Sequence, residues 1–442
     1  MKKEKTKKFR SAFVRDSLNT FGTNLIGSIL SVFSSLIVLS RVPREIKGLF
    51  GQVQQWGAGL NTILGLSVAS AVIYYVARNS IRNAGRAVRR LGFCIAAAIA
   101  LTGAALMFCL RGSSFFKETP AQFLAAIVLY GVVSFLFNFC MAVLRGENKF
   151  RSYNLVNLVL QILMAALAVV IFVRPNAVFW VWGAIAVSST TLLLALWGVV
   201  RWNGPKPEPA PENDLPVGTG DLVRYSLKSH VSNVMTYLNS FLGSYIVQWV
   251  YTISDFSLYN TAVTMMQQVW LLPDAVSQVI LSRIAGMTEQ KDKVRLSVLS
   301  SKIVTYVTTV SAVAIYWAAK VFVPILFPLY RDSVNYLPYL AVGYVLISYA
   351  KVLGNSIAAY GRPELNIIPT ALGIAANVVS SLLLIPRMGI NGIALSASVS
   401  LTVQSVTCVT IFCRFSRTPV YKLIVPEKEE IAAVRRIFRK ER

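Results

Sequence analysis

Two stretches of the chain repeat one pattern: RDSLNTFGTNLIGSILSVFSSLIVLS at residues 15–40 and RYSLKSHVSNVMTYLNSFLGSYIVQW at residues 224–249, which lie 209 residues apart. In the first, polar or small residues step by four, three, four and three, at Thr20, Asn24, Gly27, Ser31 and Ser34. The second has the same steps at Ser229, Asn233, Thr236, Ser240 and Gly243. This spacing places each set on one face of a helix. Because the rest of each stretch is largely apolar, the pattern predicts two membrane helices that turn a polar stripe away from lipid.

Composition supports a membrane protein. Of the 442 residues, 55% are hydrophobic and 14% are charged, whereas soluble domains carry about 25% charged residues. The net charge of +25 comes from Lys and Arg in short segments between apolar runs and in the two tails, which is typical of membrane topology and not of a nucleic-acid-binding face. The five cysteines lie inside apolar runs and the chain has one histidine. We therefore expect buried thiols, no metal site and no cofactor.

Apolar runs of about 20 residues can cross a bilayer. The sequence has twelve, at 18–40, 50–77, 91–110, 121–144, 153–173, 179–200, 225–249, 257–284, 297–322, 336–356, 366–385 and 391–413. With a cytoplasmic N-terminus, 35 of the 44 Lys and Arg residues fall on the cytoplasmic side, as the positive-inside rule requires. The sequence predicts an all-α polytopic membrane protein with both termini in the cytoplasm.

The polar stretch NGPKPEPAPENDLPVGTGD at residues 203–221 separates the sixth and seventh spans, and its alternating prolines favour extended chain. Six spans per half is an even number, so the halves share one orientation and form a parallel repeat. The tail predicts a basic amphipathic helix that lies on the anionic inner leaflet, or one that docks a protein. The predicted parts are an N-terminal six-helix bundle, a cytoplasmic linker, a C-terminal six-helix bundle and a tail, at 1–202, 203–222, 223–413 and 414–442.

The most specific local pattern is GRPELNIIPTALGIAANVVSSLLLIPRMGINGIALSASVS at residues 361–400. It has a glycine-rich inner turn, a span with Asn377 and an outer turn of the form Ile-Pro-x-x-Gly-Ile-x-Gly that begins at Ile385. Near the start, Asn24, Arg41 and Leu-Phe-Gly at 49–51 form a comparable first hairpin. Together these features resemble the polysaccharide exporters of the multidrug/oligosaccharidyl-lipid/polysaccharide (MOP) superfamily, the Wzx-type flippases of undecaprenyl-linked oligosaccharides.

The resemblance implies two bundles that form a V around a cavity lined by the first, second, seventh and eighth helices. It implies a flippase that moves an undecaprenyl-pyrophosphate-linked oligosaccharide from the inner to the outer leaflet of a bacterial cytoplasmic membrane by alternating access, for cell-surface polysaccharide synthesis. A polysaccharide polymerase is the candidate protein partner. A cation-coupled multidrug extruder of the same superfamily is the alternative. A sugar polymerase or ligase is disfavoured, because the outward segments are too short for a large acceptor-binding loop, and we expect no enzymatic activity.

A pyrophosphate-linked sugar needs polar groups for its hydroxyls and cations for its phosphates. The cavity candidates are Asn24, Asn233, Ser229, Thr236, Lys228, Lys351, Gln54, Gln55, Gln268 and Arg283. Each has a structural alternative. Small polar residues can simply let helices pack closely, the two lysines can snorkel to the cytoplasmic surface, the glutamines can form an ordinary helix interface, and Arg283 can anchor the topology.

Four further residues have both a functional and a structural reading. Arg41 and Arg44 lie at the outer end of the first hairpin, against the positive-inside trend, and predict an outer gate or a loop paired with Glu45. Asp274 follows Pro273, which interrupts the helical hydrogen bonds of the eighth span. An intramembrane carboxylate could bind a coupling proton or sodium ion, or could pair with Lys351 or a neighbouring backbone group. We expect His230 to be either a hydrogen-bonded packing residue or a switch.

Overall fold

The computed structural model describes residues 22–23, 26–78, 81–201, 218–271, 273–274, 276–277, 280, 284, 289–360 and 362–425. Within these ranges all regular secondary structure is helical. The chain divides into two compact units between Val234 and Met235, inside one long helix. The domain bounds given above stay a prediction. The predicted tail helix, from Pro426 onward, lies outside the described residues.

The described part of the first unit contains seven helices and the beginning of an eighth. They are α1 (Ile26–Arg41), α2 (Arg44–Leu64), α3 (Val68–Arg78), α4 (Ile81–Leu110), α5 (Ala121–Gly146), α6 (Phe150–Val173), α7 (Ala177–Arg201) and α8 (Thr219–Val250). Pro43 and Pro120 directly precede α2 and α5, where proline is tolerated because the first helical turn leaves its N–H groups unpaired in any case. Val53, Leu91 and Ile127 belong to the core that α2, α4 and α5 share.

The second unit begins within α8. It continues with α9 (Ile253–Gln267), α10 (Gln290–Leu326), α11 (Leu337–Ala359), α12 (Ile367–Met388), α13 (Ile390–Ser416) and the short α14 (Tyr421–Ile424). A capping box starts α9: the amide of Asp255 donates to Thr252 Oγ1 at 3.1 Å, and the amide of Thr252 donates to Asp255 Oδ2 at 3.2 Å. This reciprocal pair satisfies two backbone donors and fixes the start of the helix.

Large apolar side chains cover the helix surfaces. Phe93 is 77% exposed, Leu101 74% and Leu382 72%, which suits contact with lipid and not with water. Eight of the described helices are long and apolar enough to cross a membrane, or nine spans if α2 and α3 count as one bent span. The protein is therefore multi-pass. The total of twelve stays a prediction, because the described part of α1 is short, α8 carries many polar residues and α9 ends after 15 residues.

The expectation of five buried thiols is only partly correct. Cys140, Cys408 and Cys413 are buried, but Cys94 and Cys109 are exposed on α4. The apolar run that contains them is a surface helix, with Phe93 and Phe108 exposed beside the two thiols. An apolar run in a membrane protein has no need to be buried in protein, because lipid covers it equally well.

The second predicted span is broken in its middle. Between α2 and α3 the axis bends by 59°, and Leu66 and Ser67 have φ values of +49° and +51°. Left-handed backbone costs roughly 1–2 kcal/mol for a residue other than glycine. Surrounding contacts must therefore hold the break in place, and those contacts form one of the two candidate sites below.

The turn predicted at Ile385 to Gly392 joins α12 to α13. Gly389 has φ +58°, which glycine adopts without a steric penalty. A Cβ on Gly392 would lie 2.6 Å from the carbonyl oxygen of Leu384, so only glycine allows this close approach. The two glycines of the sequence pattern are thus required for different steric reasons: Gly389 for its positive φ, and Gly392 for the close approach of the Leu384 carbonyl.

The C-terminal segment of the second unit is fastened to α10 and α11 through its backbone carbonyl groups. Lys302, which is 1% exposed, donates through Nζ to the carbonyl of Val425 at 3.1 Å. Tyr349 donates to the carbonyl of Leu423 at 3.1 Å, and Tyr306 donates to that of Ile424. These donors satisfy the carbonyl groups at the end of α14, which has no further turn to accept them.

Candidate functional site

A charged pair lies among the helices of the second unit. Lys351 Nζ is 2.6 Å from Asp274 Oδ1, and the two side chains are 25% and 51% exposed, respectively. Lys351 belongs to α11, one of the membrane-spanning candidates. The structure thus shows the alternative in which Asp274 pairs with Lys351. The lysine ammonium ends on a carboxylate, which is a different arrangement from snorkelling to the surface.

Aromatic rings complete this lysine site. Lys351 Nζ is 4.4 Å from the ring centre of Trp270, a distance at which a cation is attracted to the face of the ring. Trp270 Nε1 donates to the backbone carbonyl of Tyr344 at 2.9 Å, and the Trp270 and Tyr344 rings stack at 4.6 Å. Tyr344 and Lys351 are seven residues apart, so they share one face of α11. The carboxylate and the indole therefore fix the position of the ammonium.

The site in the first unit is neutral and lies at the break between α2 and α3. Asn233 Nδ2 donates to Ser67 Oγ at 2.9 Å, and Ser67 Oγ lies 3.4 Å from His230 Nδ1. Tyr225, on the same helix as Asn233, stacks on Tyr74 of α3 at 4.8 Å. The first part of α8 thus holds the strained break. His230 is hydrogen-bonded there, as the packing alternative predicted.

The two polar stripes are only partly described. Asn24 and the side chains of Lys228 and Ser229 lie outside the described residues, and so does Arg283. Thr236 is exposed. A Cβ on Gly27 would lie 3.2 Å from Gln161 Cγ, and one on Gly243 would lie 2.4 Å from Tyr259 Oη. The two glycines therefore serve close packing, which was the alternative to lining a path. The role of Asn24, Asn233 and Thr236 in a cavity stays a prediction.

The glutamines of the second and eighth spans contact protein groups. Gln54 hydrogen-bonds to Tyr130, Gln55 is 7% exposed, and Gln268 Nε2 donates to the Thr264 carbonyl one turn earlier at 3.3 Å. Gln52, which the sequence analysis did not select, donates to the Phe115 carbonyl at 2.8 Å and accepts from Thr119 Oγ1 at 2.7 Å. These contacts fit a helix interface, and sugar binding by the glutamines stays a prediction.

The predicted outer gate includes one exposed and one half-buried arginine. The Arg41 guanidinium lies 5.6 Å from the ring centre of Phe172, and Arg44 begins α2 in a half-buried position. The cation–π contact ties Arg41 to the end of α6. Gating by this pair stays a prediction.

A neutral network in the second unit was missed by the sequence analysis. Asn239 Nδ2 donates to Gln404 Oε1 at 2.8 Å, and Ser400 Oγ donates to Asn239 Oδ1 at 2.6 Å. Gln404 Nε2 donates in turn to Thr370 Oγ1 at 3.1 Å. The network ties α8, α12 and α13 together. Asn239 falls outside the spacing of the stripe, and the signal that could have found it is an amide inside an apolar run.

The family of the chain follows from a comparison with known protein families. Residues 62–329, more than half of the chain, match the model of a family described as polysaccharide biosynthesis protein. The chain belongs to the polysaccharide biosynthesis protein family. No curated protein matches it.

Solved structures show which fold this polysaccharide biosynthesis protein shares. An inward-facing multidrug resistance MATE family transporter of the MOP superfamily is 15% identical, with a TM-score of 0.66 over 90% of this chain and 95% of the other. The lipid II flippase MurJ in an inward closed conformation is 14% identical, with a TM-score of 0.65 over 93% and 89%. A MOP superfamily transporter from Pyrococcus furiosus is 14% identical, with a TM-score of 0.53 over 93% and 96%.

These matches confirm the predicted all-α membrane fold, which the chain shares with MATE transporters and MurJ. The folds that match are those of transporters and a flippase, not of enzymes. Among the described residues, no group of three or more His, Cys, Asp and Glu side chains could hold a metal ion. In this polysaccharide biosynthesis protein, the described cation that combines a membrane-helix position with an aromatic and an acidic neighbour is Lys351.

Proposed function

We propose that this protein flips an undecaprenyl-pyrophosphate-linked oligosaccharide from the inner to the outer leaflet of a bacterial cytoplasmic membrane. The family assignment supports a role in polysaccharide synthesis, and the fold supports transport. The observation that carries the substrate class is Lys351, held 4.4 Å over Trp270 and 2.6 Å from Asp274 in a membrane-spanning region. A cation and an indole face are the two groups that a sugar phosphate needs.

Lys351 binds the pyrophosphate by exchanging one anionic partner for another. An unpaired ammonium in an apolar environment is unfavourable, so Asp274 holds it while the substrate is absent. The pyrophosphate carries more negative charge than one carboxylate and offers several oxygens to the three N–H donors of the ammonium. The neighbouring Trp270 face packs against the first sugar. Because Asp274 is 51% exposed, it can move away as the substrate arrives.

The two repeated stretches of sequence supply other residues of the transport path. Asn24, Asn233, Ser229 and Thr236 line the transport cavity and form hydrogen bonds with sugar hydroxyls. The lipid tail stays in the bilayer while the head group crosses. Lys228 and Arg283 attract the phosphates on the inner side, and Arg41 and Arg44 act on the outer side. Both termini lie in the cytoplasm, and a polysaccharide polymerase receives the flipped product.

Asp274 also favours a second function, that of a cation-coupled multidrug extruder. A half-exposed carboxylate in a membrane could bind an organic cation, a proton or sodium. A cationic drug would have to displace the Lys351 ammonium from Asp274, just as the pyrophosphate would have to displace the carboxylate. The match to the polysaccharide biosynthesis family favours the anionic, sugar-linked substrate. A coupling proton or sodium ion that competes with Lys351 for Asp274 fits either function.

Reconstitution tests the proposal. Proteoliposomes would contain a fluorescent undecaprenyl-pyrophosphate sugar, and an external quencher would report how much of it reaches the outer leaflet over time. We expect protein-dependent exchange that is at least tenfold slower in Lys351→Gln and slower in Asn24→Ala/Asn233→Ala. Lys291→Gln, at the exposed start of α10, is the matched control and should exchange like the wild type. Exchange no faster than in empty liposomes, with cation-driven export of an organic dye instead, would establish the extruder.

A further inference from the structure

A polar cleft lies at one end of the second unit, away from the site around Lys351. Its volume is about 760 Å³, within the range of roughly 300–1,000 Å³ that ligand pockets occupy. It lies where α10 ends, α11 begins and α13 begins, and the segment between α10 and α11 forms part of the wall. Lys351 is twelve residues further along α11 than Tyr339, which is about 18 Å of helix. The cleft is therefore separate from the lysine–aspartate pair.

The chemistry of the cleft is cationic, aromatic and amide-rich. Its lining includes Tyr316, Lys320, Arg331, Asp332, Asn335, Tyr339 and Asn391, so two basic side chains face one carboxylate. We infer that this cleft binds an acidic saccharide, a glycan segment that carries a carboxylate or a phosphate. The charge pattern predicts that this end of the unit faces outward, where the glycan is delivered. The inference concerns binding alone and holds whether or not Lys351 receives a pyrophosphate.

Lys320 supplies the positive charge. It is exposed, and its ammonium lies 5.0 Å from the ring centre of Trp317 and 5.8 Å from that of Tyr316. No carboxylate pairs with it among the described residues, whereas Arg331 Nε lies 3.5 Å from Asp332 Oδ1. A ligand carboxylate or phosphate would give Lys320 the anionic partner that the protein gives to Arg331. The two rings hold the lysine at the wall of the cleft.

Asn391 supplies a buried acceptor. Its Oδ1 is inaccessible to solvent and has no hydrogen-bond donor within the described part of the chain, and the residue lines the cleft. Buried polar atoms in native proteins are nearly always hydrogen-bonded, so the Asn391 amide would gain a missing partner for Oδ1 by turning toward a donor in the cleft. A sugar hydroxyl or an acetamido N–H is such a donor, whereas a carboxylate has only acceptors to offer at neutral pH.

Tyr316 and Tyr339 give the cleft its saccharide character. Both are half-buried, so each has an apolar ring near the cleft and a hydroxyl that can form hydrogen bonds. Rings of this kind pack against the apolar faces of pyranose sugars while neighbouring amides bind the hydroxyls. Asn335 and Asn391 are those amides. A simple anion would use Lys320 but would leave the tyrosines and asparagines without contacts.

Binding to the full-length protein in phosphatidylcholine nanodiscs tests the inference. The probes are tetragalacturonate, the neutral maltotetraose and inorganic phosphate, with titration calorimetry as the readout. We expect tetragalacturonate to bind more tightly than either other probe. Lys320→Gln should weaken tetragalacturonate about tenfold or more, in line with the loss of a charge-assisted hydrogen bond, and should leave maltotetraose unchanged. Asn391→Ala should weaken both saccharides.

Lys291→Gln is the matched control, because it removes a lysine about 44 Å away at the other end of α10 and should change neither affinity. Three outcomes would overturn the inference: no saccharide binding, equal binding of phosphate and tetragalacturonate, or equal affinities in the wild type and Lys320→Gln. Adding phosphatidylglycerol to the nanodiscs separates a lipid head group from a glycan. If phosphatidylglycerol abolishes the tetragalacturonate binding that depends on Lys320, the cleft is a site for lipid head groups and not for a glycan.

Discussion

The second helical span of each unit departs from regular α-helix, but the two irregular segments differ in their chemistry. In the first unit, α2 and α3 meet at 59°, and the break is held by the neutral groups of Ser67, His230 and Asn233. In the second unit, α9 gives way to a 3₁₀ turn at Gln268–Trp270, and the charged pair of Asp274 and Lys351 lies beside it. A neutral break can be satisfied entirely within the protein. Charged side chains on membrane-spanning helices are rare and are candidate functional sites by default, which favours the second segment as the binding site.

Removing the charge of Lys351 should have the largest effect. We expect Lys351→Gln to slow flipping at least tenfold, because the pyrophosphate loses its cation and Asp274 is left without a partner. The change would be measured as leaflet exchange in proteoliposomes. Ser67→Ala is the comparison at the neutral break and should exchange within about twofold of the wild type. Equal slowing in both variants would show that the breaks act alike.

Exchanging the two charges separates pairing from substrate binding. Asp274→Lys/Lys351→Asp keeps one ammonium and one carboxylate in contact. Its unfolding temperature in detergent should therefore be close to that of the wild type. Flipping should stay several-fold slower, because the ammonium no longer lies over Trp270 at its position on α11. Full recovery of flipping by the exchanged pair would mean that only the ion pair matters.

The indole of Trp270 should have an intermediate effect. Trp270→Phe keeps an aromatic face beside Lys351 but removes the N–H that donates to the Tyr344 carbonyl at 2.9 Å. We expect flipping to fall a few-fold, as a weaker cation–π contact and one lost hydrogen bond require. Trp270→Leu, which removes the aromatic face as well, should be slower still. Leu and Phe variants of equal rate would exclude the ring face from the mechanism.

The smallest effects should come from the strained serine at the neutral break. Ser67→Ala removes the acceptor for Asn233 and leaves φ at +51°, so we expect a loss of about 1 kcal/mol of stability. Ser67→Gly removes the same hydroxyl but also relieves roughly 1 kcal/mol of backbone strain. Its unfolding temperature should therefore lie near that of the wild type. An equal loss in both variants would show that the left-handed backbone stores no strain there.

The spacing of apolar residues and the distribution of charge in the sequence predicted the larger features of this fold. The apolar runs become helices, and the Ile-Pro-x-x-Gly pattern becomes a turn with Gly389 at positive φ. Which polar residues meet was much harder to predict. The pairing of Asp274 with Lys351, 77 residues away, was one alternative among several, and the contact between Ser67 and Asn233, 166 residues apart, was not predicted. Such pairs depend on helix rotation and on the position of each break, and a periodic pattern fixes neither to within one residue.

Buried lysine was the least predictable feature. Lys302 was counted with the basic residues that mark the cytoplasmic side, yet its ammonium is buried and donates to the Val425 carbonyl. The same residue type is free of carboxylates at Lys320 and paired at Lys351. In the sequence, all three are lysines on similar apolar helices, and nothing distinguishes their roles. The tertiary fold decides which of them fastens a segment and which pairs with a carboxylate.

Binding of undecaprenyl pyrophosphate, without any sugar, tests most directly whether Lys351 receives the anion. Full-length protein in phosphatidylcholine nanodiscs would be titrated with undecaprenyl pyrophosphate and, separately, with the uncharged undecaprenol. We expect Lys351→Gln to weaken undecaprenyl pyrophosphate at least tenfold, to leave undecaprenol unchanged, and to differ in this from Lys291→Gln. Equal affinity of the wild type and Lys351→Gln for undecaprenyl pyrophosphate would contradict a role for the lysine–aspartate pair in substrate binding.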